Sequence, residues 1–426
     1  MAGKENMAIA NPVFTTAMRS VGMLAMAGNP LALDFARKLH LDTMFPMEPL
    51  TDFNHGFDVS GSHIPYIALT LPVECRHSLL NLYVKRNRFT NVLELASGYT
   101  PRGIELARKG IRYVGGDIPI VSDAVAKLAE PYLRDTPGKA DYVSLDVTNR
   151  SSMLKAADLC GGEMVLISSG LFSYLQKAEL RALFENVREI LALHGGSWIT
   201  FDCAEDALQK LCARIAGCNL SLLDTFLKRY DQDLSDASGL RIKVEDLKTI
   251  KGLMREAGLK IEPFRMNAYG LELGTEHLMS AETNDALRRG LEELEAWKIT
   301  ALAESSSGSS RGSHPHQTVS PGAHMELQDG ILTVSLRGRI DSMSAPDVLE
   351  VWKKTLEEAG VVDGRKSVKE LHIQCEDLAY ISSAGLRVLL MMLKRSSART
   401  LRMSGVTRNV REIFYNTGFD HMMDFT

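Results

Sequence analysis

Apolar positions along this chain recur with two periods, and the switches between them mark out its elements. In residues 91–117, NVLELASGYTPRGIELARKGIRYVGGD, the run Val92, Leu93 and Leu95 predicts a short buried strand. Ala96, Ser97 and Gly98 follow as a turn of small residues, where a backbone can bend sharply and approach a ligand. Ile104, Leu106, Ala107 and Ile111 then recur at roughly helical spacing, enough to cover one face of a sheet. Tyr113 and Val114 begin a second strand, which Gly115, Gly116 and Asp117 end.

The alternation continues downstream. Helical spacing over 122–133 precedes a strand over 142–146, a short helix over 153–159 and a strand over 164–169. That last strand is apolar on both faces, as a central parallel strand is. A helix over 180–193, a strand over 197–202 and helices over 208–215 and 244–257 come next, then a strand-like 268–273 and a helix over 286–303. Repeated βα units of this kind predict a Rossmann-like, doubly wound α/β domain over 91–303. Residues 1–90 read as mostly helical, over 17–27, 31–39 and 73–83, around a polar, turn-rich 51–62. They read as a bundle packed on the core domain or as a substrate-side cap. Residues 304–324 lose all periodicity and are rich in Ser, Gly, Pro and His, the composition of a flexible linker. His314 and His316 within it read as solvated spacer. Residues 325–426 form a second, small α/β domain, with strands over 332–336, 368–375 and 400–404 and helices over 345–359, 384–393 and 406–416. Its helices are expected to cover one face of a mixed sheet.

A length of 426 residues accommodates two or three such domains. A formal net charge of −4 gives no basis for a nucleic-acid or anionic-membrane partner, and no apolar run approaches the ~20 residues that span a bilayer. The first residues lack the apolar core of a secretory signal. The six cysteines show no CxxC and no neighbouring histidine pair, so they read as buried free thiols of a cytoplasmic protein, without a metal site.

The chemistry concentrates at the strand ends. An acid closing the second strand of a βαβ unit, Asp117, sits where a ribose hydroxyl pair lies. A dinucleotide turn needs G-x-G-x-x-G for the pyrophosphate, whereas this turn has one glycine and an acid, Glu94, just before it. Such a turn suits a cationic nucleoside without phosphates, and S-adenosylmethionine is one; a dehydrogenase is disfavoured because the pyrophosphate glycines are missing. The same residues also read as any doubly wound unit with Asp117 capping a loop. Asp146, at the third strand end, falls where an adenine amino group is read or where a helix is capped. Ser169 and Gly170 open the cleft after the fourth strand.

These residues resemble those of class I S-adenosylmethionine-dependent methyltransferases, closest to the leucine carboxyl methyltransferase and polyketide O-methyltransferase group. The group's L-x-A-G-x-D-T-R is similar to Leu95-Ala96-Ser97-Gly98-Tyr99-Thr100-Pro101-Arg102, and its acid–Pro strand end to Asp117-Ile118-Pro119. Its E-G-x-x-x-Y-L is similar to Ser169-Gly170-Leu171-Phe172-Ser173-Tyr174-Leu175. The resemblance implies a cofactor site of Arg76, Glu94, Ala96, Gly98, Asp117, Ile118, Asp146, Val147 and Ser169, with Arg76 on the methionine carboxylate. Tyr174 is the candidate catalytic residue. Thr100 stands where the group has aspartate and Ser169 where it has glutamate, which retains cofactor binding better than the group's own substrate chemistry.

In the second domain, G-R-I-D-S-M-S-A-P-D and L-A-Y-I-S-S-A-G-L-R-V-L-L resemble the STAS domain of anti-sigma-factor antagonists. That family changes partners when a kinase-type anti-sigma factor phosphorylates a serine at a helix start. Its D-S-S-G-L aligns with Ser382-Ser383-Ala384-Gly385-Leu386, placing Ala384 at the usual phosphosite and leaving Ser383, then Ser382, as acceptors; both serines also read as plain helix caps. Together the resemblances imply a methyltransferase, acting on the oxygen of a small molecule or carboxylate, coupled to a partner-switching domain. The alternative is a non-catalytic cofactor-binding regulator acting as an anti-sigma-factor antagonist.

Overall fold

A computed structural model of the chain describes residues 12–43, 48–59, 62–226, 228, 246–302, 322–340, 344–358, 368–381, 383–396, 398, 401–407, 410–411, 414 and 423–425. They fall into two units, divided after Leu302.

In chain order the first unit holds α1 (Pro12–Met26), α2 (Pro30–Lys38), β1 (Gly56–Val59), β2 (Ser62–Pro65) and α3 (Tyr66–Arg86). The βα series follows: β3 (Asn91–Leu95), α4 (Arg102–Ala107), β4 (Arg112–Asp117), α5 (Pro119–Leu133), β5 (Lys139–Ser144), α6 (Arg150–Cys160) and β6 (Met164–Ser168). It continues with α7 (Lys177–His194), β7 (Gly196–Thr200), α8 (Glu205–Ile215), α9 (Leu247–Glu256), β8 (Leu259–Arg265), α10 (Ala281–Glu293) and β9 (Glu295–Ala301). Seven strands form one sheet in the order β5-β4-β3-β6-β7-β9-β8. Those from β3 to β7 are parallel, while β9 runs antiparallel to β7 and β8 to β9.

Helices cover both faces, so the strands are apolar on both sides. Val92 of β3 and Val165 and Ile167 of β6 pack with α3, α8 and α10. The intervening Leu93, Leu95, Met164 and Leu166 pack with α6, α7 and α9. The N-terminal helices α1 and α2 join α4 and α5 through Val21, Phe35, Ile104 and Val121. The strand order reverses at β3. From β3 the chain works outward through β4 to β5, then returns through α6 to place β6 on the other side of β3. Such a reversal opens a crevice past the strand carboxyl ends.

Four expectations for this unit are corrected. The turn-rich stretch 51–62 contributes a β-hairpin with β2, in which Gly56 faces Pro65. A Cβ on Gly56 would come within 2.5 Å of the Ile64 carbonyl oxygen, so glycine there permits the close pairing. Residues 268–273 carry no strand; β8 and β9 supply the sheet instead. The helix expected over 286–303 ends at Glu293, and the chain is already extended at Leu294. No Gly or Pro punctuates that point, and Leu287, Leu291, Leu294 and Trp297 keep helical spacing across it, which hides β9 from a periodicity reading. The helix expected over 244–257 begins at Leu247, where Asp246 caps it by accepting from Thr249 N at 2.7 Å.

The second unit contains β10 (Gly322–Gln328), β11 (Ile331–Ile340), α11 (Ala345–Glu358), β12 (Glu370–Ile381), α12 (Ser383–Lys394), β13 (Leu401–Ser404) and β14 (Met423–Phe425). Its five-stranded mixed sheet runs β10-β11-β12-β13-β14, with β10 antiparallel to β11 and the rest parallel. Leu332, Val334 and Leu336 alternate inward and meet Val348, Trp352, Leu386 and Leu389 from the two helices in one core. The first strand starts at Gly322, ahead of the boundary expected at 325, because Ala323 and Met325 join that core. The rest of the 304–324 linker, with His314 and His316, lies outside the described residues, as does most of the helix expected over 406–416.

Candidate functional site

The site grows from the turn after β3. Ala96 and Gly98 both take left-handed backbone, with φ of 57° and 58°. For Ala96 this carries a strain of roughly 1 kcal/mol, of the kind that clusters at ligand-binding turns. The turn is pinned to the next strand by Ser97 N donating to the Gly116 carbonyl at 3.0 Å and Gly98 N donating to Asp117 Oδ2 at 2.7 Å. The other oxygen of Asp117 accepts from Ile118 N at 2.8 Å. Burial pushes this carboxyl up to about 6, against the opposing pull of those two N–H donors. Two of its roughly four acceptor positions therefore remain for a ligand.

Beneath the turn lies a buried polar network. Arg102 Nε contacts both Glu94 oxygens, at 3.1 and 3.0 Å, and the Tyr113 hydroxyl donates to Glu94 Oε2 at 2.6 Å. Arg102 Nη1 reaches the His77 carbonyl at 2.9 Å and Asn81 Oδ1 at 2.6 Å. Glu94 and Arg102 are only 3% and 2% exposed, so the pair is shielded from solvent. Glu94, expected to meet a cofactor directly, thus spends most of its acceptor capacity holding Arg102 and Tyr113 under the turn.

The opposite wall comes from the end of β6. Trp198 Nε1 donates to Ser168 Oγ at 3.1 Å, which fixes the strand end. Asp202 accepts from the backbone N–H groups of Gly170, Leu171 and Phe172 at 2.7, 2.8 and 2.9 Å, and so shapes the segment carrying Ser169 and Tyr174. Gly170 is left-handed, with φ of 75°, and a Cβ there would come within 3.4 Å of Arg76 Nη1. Arg76, on α3, pairs across it with Glu205 of α8 at 2.8 Å.

One cavity lies between these walls. It brings together Arg76, Glu94, Ala96, Gly98, Asp117, Ser169 and Tyr174 from the sequence-derived set. Ile118, Asp146 and Val147 do not line it. Ile118 packs against the N-terminal helices, Asp146 Oδ1 accepts from Thr148 N at 2.8 Å and Thr148 Oγ1 at 2.7 Å, and the Val147 carbonyl accepts from Asn186 at 2.9 Å. The wall also contains Ser97, Thr100, Arg102, His77 and Glu205, which the sequence reading did not assign to the site. Arg102 and Thr100 sit inside the motif already singled out, and His77 follows Arg76. Glu205 had no signal, because its partner lies 129 positions away.

Three buried polar atoms of residues on this wall have no hydrogen-bond partner among the described residues: Arg76 Nε, His77 Nδ1 and Ser97 Oγ. A buried donor or acceptor left unpaired costs ~1–3 kcal/mol, so three on residues that line one cavity mark a strained, polar wall. Among the described residues, no group of three His, Cys, Asp or Glu side chains is placed to hold a metal, and no helix is long and apolar enough to cross a membrane. In the second unit, α12 begins at Ser383, while Ser382 and the side chain of Ser383 lie outside the described residues.

A model of the STAS domain matches residues 323–426. No curated protein matches the chain. Similar solved structures include magnesium protoporphyrin IX methyltransferase from Synechocystis PCC 6803 with bound SAH, at 12% identity and a TM-score of 0.34, covering 59% of this chain and 91% of that one. An O-methyltransferase family protein from Burkholderia thailandensis is similar at 12% identity and a TM-score of 0.34, covering 56% of this chain and 59% of that one. Human N-acetylserotonin methyltransferase in complex with SAM is similar at 11% identity and a TM-score of 0.30, covering 56% of this chain and 55% of that one.

Proposed function

We propose that the first unit is an S-adenosylmethionine-dependent methyltransferase, acting on the oxygen of a small molecule or carboxylate, and that the STAS unit ties it to a protein partner in the cytoplasm. The lining of one cavity at the strand-order reversal by Arg76, Ser97 and Asp117 together carries this reading.

The residues fit the cofactor. Asp117 has two acceptor positions left for the vicinal hydroxyls of a ribose. Arg76 gives one Nη1 hydrogen to Glu205 and, from the cavity wall, supplies its positive charge to a carboxylate. The left-handed turn at Ala96 and Gly98 lets backbone approach the ligand, and Ser169 closes the far side. Ile118, Asp146 and Val147, at the ends of β4 and β5, serve the adenine beyond the cavity wall. The bound cofactor supplies a methyl group made electrophilic by its sulfonium. The protein's task is then to hold the acceptor in line and exclude water, so no residue needs to form a covalent bond. Tyr174, on the cavity wall, positions the acceptor.

In the STAS unit, Ser383 at the start of α12 is the phosphate acceptor, with Ser382 as the second site, and a kinase of the anti-sigma-factor type is the partner. A phosphate there gains from the helix N-terminus while changing the docking surface.

Calorimetric titration of the full chain with S-adenosylmethionine, and with NAD as control, tests the cofactor. Binding of the first alone is expected. Asp117→Ala, with circular dichroism unchanged, should weaken it by at least about a hundredfold, since two charge-assisted hydrogen bonds at ~1.5–3 kcal/mol each disappear. Wild-type affinity in that variant would remove the basis for the assignment.

A further inference from the structure

One ion pair on the cavity wall joins two helices. Arg76 of α3 donates from Nη1 to Glu205 Oε1 of α8 at 2.8 Å, and the two side chains are 16% and 45% exposed. Glu94 and Arg102, also on the wall, form a pair shut away from solvent. Three carboxylates line the cavity: Glu94, Asp117 and Glu205. Glu94 is taken up by Arg102 and Tyr113, and Asp117 is bound to the turn through Gly98 N and Ile118 N. Among the described residues Glu205 accepts from Arg76 alone, at one oxygen. Its second oxygen is left to take a donor from solvent or a ligand.

The local structure holds Glu205 in that place. It is the first residue of α8, where the positive end of the helix dipole favours an acid. A Cβ on Gly170 would come within 3.4 Å of Arg76 Nη1 and 3.8 Å of Glu205 Oε1, so the pair lies against the backbone that follows β6. Asp202, just ahead of α8, binds the N–H groups of that same segment. Burial, and then the negative charge of Glu205, push the Asp202 carboxyl up. Two acids thus stand against one guanidinium, and Ser169, the neighbouring wall residue, brings no charge. This corner of the cavity suits an added positive charge.

A ligand group that is only negative gains from Arg76 but meets Glu205 beside it. A group that carries both signs on neighbouring atoms answers both residues. We infer that Glu205 is the receptor for the α-ammonium group of the methyl donor, accepting from it at the carboxylate oxygen that Arg76 leaves, so that the cavity selects its cofactor by a zwitterionic amino-acid end. The inference rests on the methyltransferase reading above and deepens it. It gives α8, which the sequence did not connect with the site, a part in recognition.

The test is calorimetry on the full chain with three ligands: S-adenosylhomocysteine, its analogue lacking the amino group, and methylthioadenosine, which lacks the whole amino-acid end. In the wild-type chain the deaminated analogue should bind at least about tenfold more weakly than S-adenosylhomocysteine. Equal affinity overturns the inference without any variant. Glu205→Gln keeps the length of the side chain and removes its charge. It should weaken S-adenosylhomocysteine roughly ten- to hundredfold, the range of one charge-assisted hydrogen bond. Methylthioadenosine should keep its wild-type affinity within about twofold. The deaminated analogue should bind this variant at least as tightly as the wild type, since a like charge has gone. Glu205→Asp, with the charge on a shorter arm, should recover part of the loss. Unchanged affinity of Glu205→Gln for S-adenosylhomocysteine overturns the inference. So does an equal loss for methylthioadenosine, which makes Glu205 a tie between helices, or for the deaminated analogue, which makes it act only through Arg76. If the wild-type chain binds none of the three, the methyltransferase reading fails and the inference with it; binding that ignores Glu205 overturns the inference alone.

Discussion

Glu74 shows how much a single side chain on α3 can hold. It is 5% exposed, and its carboxyl accepts from the Gly274 backbone N–H, from Thr275 N, and from Thr275 Oγ1 at 2.5 Å. It thereby ties the helix carrying Arg76 and His77 to a segment two hundred positions downstream. Burial outweighs those donors and pushes Glu74 from its ordinary 4.5 to about 7. The folded state therefore binds this proton more tightly than the unfolded one. Its stabilising effect is complete below pH 4.5 and is lost as pH rises through 7. Glu74→Gln should flatten the pH dependence of the urea midpoint between these values, removing a slope worth about 3 kcal/mol overall. An unchanged slope would mean that water reaches the group. Asp117 titrates in the same sense, so the fall with rising pH is shared between the site and its support. Neither effect was legible in the sequence, where Glu74 reads as one polar position in a helical run.

At the scale of elements, β4 shows why glycine ends the strand. A Cβ on Gly116 would lie 2.2 Å from Leu145 Cδ2 and 2.7 Å from Leu145 Cβ. Leu145 is itself in the core beside α6, and its N–H donates to the Asp117 carbonyl at 2.8 Å, so it has little room to retreat. Gly116→Ala should cost ~1–3 kcal/mol in chemical denaturation. Adding Leu145→Ala should recover part of that cost, since the two changes share one contact and do not add. Strict additivity would show that strand and loop part without strain. The double glycine was visible in the sequence as a strand end, but the leucine that makes it necessary comes from the strand-end loop of β5.

For the whole molecule, every residue on the cavity wall belongs to the first unit, and the second has a separate core. A ligand that binds one folded unit stabilises that unit by mass action. Differential scanning calorimetry of the full chain should therefore show two transitions, with S-adenosylmethionine raising only that of the first unit. A single shared transition, moved as a whole, would show that the units unfold together.

The parallel core, its turn and the acid that ends β4 were determined by the sequence alone, because each rests on local pattern: an apolar run, small residues, then helical spacing. The STAS unit was legible for the same reason, through two contiguous motifs. Tertiary structure decided where the chain looked locally ambiguous. Strand β9 hides within a helical spacing, and only its register against β7 and β8 makes it a strand. It also decided which polar atoms meet. Arg76 with Glu205, His77 with Glu105, and Glu94 with Arg102 and Tyr113 are set by helices laid across strand ends. Hydrogen bonds act over about 3 Å in space whatever the separation along the chain, so a local pattern contains no trace of them.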